Sequence, residues 1–138
     1  MVVGIDIDGT ISTAPWFYAM LSEAVIRSGG RIIIVSARQN TPEIIEITER
    51  QLRTWGIVFT RLQLLPLLEE IQFPQTYPAD DWRRTLFQKV HVCLMEGVDL
   101  FIDDDNDVLK MFRLHAPNIR LLRSIPSKGG DCVDPIGE

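Results

Sequence analysis

The stretch Gly4-Ile5-Asp6-Ile7-Asp8-Gly9-Thr10 decides how this chain is read. Residues 2–7 form an apolar run of strand length, and Asp6 and Asp8 stand at its carboxyl end. In a strand the side chains repeat every two residues, so both carboxylates point to one face, with α-carbons about 7 Å apart. Gly9 lets the chain turn sharply or approach a ligand closely. One aspartate after a strand often only closes a turn. Two of them followed by Gly-Thr, at the rim where open parallel sheets bind ligands, indicate a site.

Outward from this stretch, apolar runs bounded by turn residues alternate with segments of helical period, which predicts an α/β domain with a mainly parallel sheet. The expected strands are residues 2–7, 31–35, 57–62, 98–102 and 119–122. The expected helices are 15–28, stopped by Gly29-Gly30; a second with Thr41 as N-cap, Pro42 in its first position and Gly56 at its end; 83–96; and 107–115, begun by Asn106 or Asp107. Ile44, Ile45, Thr48, Leu52 and Trp55 give the second helix an inward stripe. Residues 64–81, with Pro66, Pro74 and Pro78, are long for a connector and suggest a small lid or substrate loop. Residues 1–123 then make one domain, and 124–138 an irregular tail.

A second acidic cluster follows the fourth run: Asp103, Asp104, Asp105, Asn106 and Asp107. On a strand neighbouring the first it would lie beside Asp6 and Asp8. Two unit charges 4 Å apart repel by about 4 kcal/mol at an effective dielectric near 20, and several such terms rival the roughly 5–15 kcal/mol that holds a domain together. An all-oxygen carboxylate site suits a hard cation, so Mg²⁺ between the two strand ends is expected. No acid occupies the twelfth position of a loop counted from Asp103 or Asp105, so an EF-hand does not fit. A solvated acidic turn is the plainer alternative.

The second run ends Val35-Ser36-Ala37-Arg38, which sets a hydroxyl and neighbouring N–H groups at the same rim, where a phosphate oxygen can accept from them. Together with Gly9 and Thr10, these residues make the expected substrate-binding edge. Arg38 either clamps a substrate group bidentately or pairs with a surface acid. A helix lysine such as Lys89 ordinarily faces solvent. Trp16 reads as a core residue of its helix, and His91 and His115 as isolated rather than metal ligands.

Composition narrows the function classes. The 138 residues, 46% apolar and 24% charged, are those of a globular domain, and no run reaches the roughly 20 apolar residues of a spanning helix. With a strand expected from Val2, no signal peptide is expected either, and the reading is cytoplasmic. Cys93 and Cys132 show no zinc or disulfide pattern. A net charge of −5 disfavours nucleic-acid and anionic-membrane partners.

Asp6-Ile7-Asp8-Gly9-Thr10, the strand ending at Ser36, Lys89, and Phe101-Ile102-Asp103-Asp104 through Asp107 resemble, in order and spacing, the four motifs of the haloacid dehalogenase superfamily. The match spans residues 4–107, and the run 89–104 is similar to small members of that group that are deoxyribonucleotidase-like or uncharacterised phosphatases. The resemblance implies a doubly wound parallel sheet with helices on both faces and a Mg²⁺-dependent phosphomonoesterase. Asp6 would be the nucleophile, and Asp8 the general acid and then base, with a raised pKa. Asp6, the Asp8 carbonyl and Asp103 would hold the metal, with Asp104 and Asp107 as further acids. Ser36 and Lys89 would bind the phosphoryl group. Asp8 selects phosphoryl transfer over dehalogenation. The large cap found after the first motif in many members has no room here, so the expected substrate is a small-molecule phosphate ester bound in an open site that a second subunit can cover.

Two other classes stay open. A signalling phosphoacceptor similar to receiver domains also combines acids, a hydroxyl and a lysine, but lacks support from an aspartate after the third run. The other is a non-catalytic domain retaining a metal site.

Overall fold

In the computed structural model, which describes residues 1–125, the elements run β1 (Val2–Ile5), a 3₁₀ turn (Ile11–Thr13), α1 (Pro15–Arg27), β2 (Arg31–Gln39), α2 (Pro42–Thr54), β3 (Arg61–Leu65), α3 (Arg83–Met95), β4 (Leu100–Asp103), α4 (Asn106–His115) and β5 (Arg120–Arg123). The five strands form one sheet, all parallel, in the order β3-β2-β1-β4-β5. Val3 to Ile5 pairs with Ile32 to Ile34 on one side and with Leu100 to Ile102 on the other.

Helices cover both faces. Tyr18 and Val25 of α1 and Leu52 of α2 pack with Ile5, Ile7, Ile32 and Ile34. Phe87 and Val90 of α3 and Val108 and Phe112 of α4 pack with Ile33, Val35 and Phe101 on the opposite face. Consecutive β2 residues thus point into different cores, which is why the run 31–35 is apolar throughout. Each fully buried aliphatic side chain contributes about 1.5–3 kcal/mol. The α/β, doubly wound class is as expected. The strand order reverses between β1 and β4, and at such a switch point the two diverging loops leave a crevice at the carboxyl ends of the strands.

Several boundaries differ. β1 ends at Ile5, and Asp6 to Asp8 enter a turn, although Asp6 N–H still donates to the Ile102 carbonyl at 3.0 Å. β2 continues through Ser36 and Arg38. The third strand is Arg61–Leu65 and not residues 57–62. Gly56 (φ +77°) ends α2, and Ile57 N–H bonds back to the Leu52 carbonyl at 2.9 Å, so the buried Ile57 serves the helix end. Thr41 caps α2 as expected, its Oγ1 accepting from Ile44 N–H. Asp105, not Asn106 or Asp107, caps α4.

Residues 66–82 lie over α3 and α4. Leu67, Ile71, Phe73 and Tyr77 join the core on that face, and the Tyr77 hydroxyl is 2.8 Å from His115 Nε2. Trp16 is 72% exposed, against the expectation of a core position. No helix among the described residues is long and apolar enough to cross a membrane. The expected tail beyond residue 125, including Cys132, lies outside the described residues.

Candidate active site

The carboxyl ends of β1, β2 and β4 open into a cleft of about 430 Å³ lined by Asp6, Asp8, Ser36, Ala37, Arg38, Lys89, Asp103, Asp104 and Asp105. Four segments distant in sequence meet there. Lys89, only 5% exposed on α3, donates from Nζ to Asp6 Oδ1 and to Asp103 Oδ2, each at 2.9 Å. An ammonium this deep is tolerated only with such partners. Burial alone would depress the Lys89 pKa, but Asp6 and Asp103 outweigh it and hold it above the ordinary lysine value.

Asp6 is almost fully buried, and its second oxygen, Oδ2, accepts from Thr10 Oγ1 at 3.3 Å. Burial pushes its pKa from 3.8 up to about 7; Lys89 opposes this, and Asp103 and Asp104 add to it. Asp103 has no exposed surface and is likewise raised by burial against the pull of Lys89, while its Oδ1 accepts from Asp105 N–H at 3.0 Å. Carboxylate oxygens of Asp6, Asp103 and Asp104 lie within 4.8 Å of one another. With only Lys89 between them, the charge is incompletely balanced, and an all-oxygen donor set of this size fits a hard divalent cation.

Asp8 behaves differently from expectation. Its two oxygens face the Arg38 guanidinium, with Nε to Oδ2 at 2.9 Å and Nη2 to Oδ1 at 2.8 Å. Hydrogen bonds from Arg38 outweigh the partial burial and hold the Asp8 pKa below the ordinary carboxylate value, where the resemblance implied a raised one. Of the two roles open to Arg38, the structure realises pairing with an acid, and that acid belongs to the cleft.

Gly9 and Thr10 are not among the residues that line the cleft. Gly9 has φ +83°, and a Cβ there would run into the Asp104 carboxylate. Ser36 and Ala37 do line it, and Ser36 Oγ accepts from Arg38 N–H at 3.1 Å. Asp107 sits outside the group of three acids. It is exposed, and its N–H donates to the capping Asp105. No residue of the expected lid, 64–81, lines the cleft.

Sequence reasoning passed over four supporting residues. Asp105 both caps α4 and lines the cleft. Ser124 Oγ donates to the Gly9 carbonyl at 3.3 Å, which braces the turn from behind. Gln51 Oε1 and Thr48 Oγ1 accept from Arg38 Nη1 at 2.7 and 3.3 Å. Thr48 stood in the apolar stripe of α2, and a polar residue in such a stripe with Gln51 three positions on was the signal available.

Comparison with known proteins adds the fold and no family. No family model matches the chain, and no curated protein matches it. Among solved structures, a chain of the Pnkp1/Rnl/Hen1 RNA repair complex is similar with a TM-score of 0.64 at 23% identity, over 92% of this chain and 43% of that one. Another Pnkp1/Rnl/Hen1 complex gives 0.63 at 23%, over 91% and 46%. This chain therefore spans less than half the length of those chains, and the likeness concerns the doubly wound fold.

Proposed function

We propose that the protein is a Mg²⁺-dependent phosphomonoester hydrolase of haloacid dehalogenase type, working through an aspartyl-phosphate on Asp6. The observation that carries this reading is Lys89 bridging Asp6 and Asp103 at 2.9 Å each, inside a cleft that also holds Ser36. An ordinary acidic turn has no reason to bury a lysine between two carboxylates. The strand order supports it as well: receiver-like domains have the order 2-1-3-4-5, whereas here β1 lies between β2 and β4.

In the proposed reaction an Asp6 oxygen attacks phosphorus, the phosphorus–ester oxygen bond breaks, and the departing alkoxide takes a proton. Water then attacks the aspartyl-phosphate, inorganic phosphate leaves, and the carboxylate is restored. Splitting the barrier in this way serves one of the slowest uncatalysed reactions known. Asp6, Asp103 and Asp104 would hold Mg²⁺, which supplies positive charge against the charge developing on the phosphoryl oxygens. Lys89 adds fixed charge and keeps Asp6 oriented, and the Ser36 hydroxyl has its proton free to donate to a phosphoryl oxygen. Asp8, kept ionised by Arg38, is suited to take a proton from the attacking water. To give one to the leaving group, Asp8 must first be released from Arg38 and take up a proton from solvent, which loss of the guanidinium bonds favours.

The test is hydrolysis of a panel of phosphate esters, with Mg²⁺ and with chelator, by wild type and Asp6→Asn. The panel includes sugar phosphates, mononucleotides and, because the similar chains come from an RNA repair complex, an oligonucleotide with a terminal phosphate. Mg²⁺-dependent release of phosphate that Asp6→Asn abolishes is expected. No turnover of any ester, or full activity in Asp6→Asn, refutes the proposal.

A further inference from the structure

Arg38 lines the cleft with its hydrogen bonds almost wholly spent on the protein. Its four bonds run to both Asp8 oxygens, Gln51 Oε1 and Thr48 Oγ1, which leaves one of the five N–H groups of a guanidinium. The two ends of this arrangement differ. Thr48 has no exposed surface, and Gln51 lies on the same packed helix α2, whereas the Asp8 side chain is 62% exposed. The anchored side fixes where the guanidinium sits, and the Asp8 side is open to exchange.

We propose that Arg38 is an exchange clamp that passes from the Asp8 carboxylate to a second anionic group on the substrate, so that preferred substrates are phosphomonoesters bearing a carboxylate or further phosphoryl group beside the ester. This rests on the phosphatase reading and names the substrate class of the same cleft. The planar fork that grips the Asp8 carboxylate through two bonds accepts any carboxylate or phosphate in the same way. Exchange replaces two charge-assisted bonds with two others of the same kind, so its net cost is small. The other cation lining the cleft, Lys89, is already bound to Asp6 and Asp103. A substrate with a second anion satisfies Arg38 and frees the Asp8 side chain from it. A neutral ester leaves Asp8 stowed.

The matched pair 2-phosphoglycolate and ethyl phosphate tests this, since the two differ in a carboxylate against a methyl group. In wild type with Mg²⁺, kcat/KM for 2-phosphoglycolate is expected to exceed that for ethyl phosphate by at least tenfold. The ratio should fall to within about threefold of unity in Arg38→Gln. In Gln51→Leu, which keeps the guanidinium and removes its anchor, it should fall part of the way, with KM for 2-phosphoglycolate rising more than KM for ethyl phosphate. A merely structural loss would lower both substrates together. Equal kcat/KM for the pair in wild type, or an unchanged ratio in Arg38→Gln, overturns the clamp while leaving the phosphatase reading standing. Hydrolysis of neither ester nor of any other in the panel removes the phosphatase reading and the clamp with it.

Discussion

Removing the Asp6 charge should stabilise the metal-free protein, and the effect should grow with pH. Burial holds the Asp6 pKa near 7 in the folded state, against an ordinary 3.8. Between those two values the folded chain keeps a proton that the unfolded chain has released, so stability falls as pH rises through this window and the loss is complete above pH 7. At about 1.4 kcal/mol for each pKa unit, the full penalty is about 4 kcal/mol, a large part of a domain's roughly 5–15. In Asp6→Asn the neutral amide replaces the buried acid. Urea unfolding of both proteins with chelator present, at steps from pH 4.5 to 8, should show the variant ahead by about 1 kcal/mol at the acid end and by about 4 kcal/mol at the other. His115, whose pKa burial lowers, acts in the opposite sense around pH 6, but it is common to both proteins and cancels in the difference. A difference that stays flat, or that falls with pH, refutes the account of Asp6 as a buried carboxylate short of positive charge.

Mg²⁺ should narrow the difference: at one hundred times its Kd it stabilises wild type by about 2.7 kcal/mol, read as a rise in Tm, and leaves Asp6→Asn nearly unmoved. Lys89→Met strips Asp6 and Asp103 of their shared cation, and breaking a buried ion pair of this kind costs about 3–5 kcal/mol; chemical unfolding at pH 8 checks it, with a smaller cost at pH 5, where Asp6 is protonated. Gly9→Ala faces both the φ of +83° and the Asp104 carboxylate, and should cost about 1–3 kcal/mol together with most of the turnover. Tyr77→Phe deletes the hydroxyl beside His115 and should cost about 1 kcal/mol while kcat and KM stay unchanged, because residues 64–81 do not line the cleft.

What the sequence made legible was whatever one local pattern sufficed to fix. Alternating apolar runs and periodic segments gave the α/β class, because burying a parallel sheet on both faces forces that composition on it. Thr41-Pro42 and Gly56 gave α2 to within a residue or two, since the residues that satisfy a helix end are few in kind. The error at the third strand has the same origin. Ile57, Val58 and Phe59 read as strand by composition, while the bond from Ile57 N–H to the Leu52 carbonyl commits that apolar residue to closing α2. Helix end and strand compete for the same side chains, and the competition is settled by the register against β2, which no local window contains.

The candidate site was legible in its acids and not in their partners. Asp6, Asp8 and Asp103 announce themselves by type and position, but whether an acid is neutral or ionised depends on what the fold sets opposite it. Lys89 lies 83 residues from Asp6 in sequence, and only the packing of α3 onto the sheet joins them. Asp8 shows the consequence most sharply. Neighbouring acids and partial burial argue for a raised pKa, yet Arg38, delivered by the continuation of β2 past Val35 to Gln39 and held by Thr48 and Gln51, decides the opposite. Two carboxylates two positions apart, alike in every local respect, thus enter the cleft in different protonation states near pH 6, Asp6 mostly neutral and Asp8 ionised. The proposed double-displacement hydrolysis needs its nucleophile ionised, and a cation held by Asp6, Asp103 and Asp104 would supply the charge that lowers Asp6 from about 7.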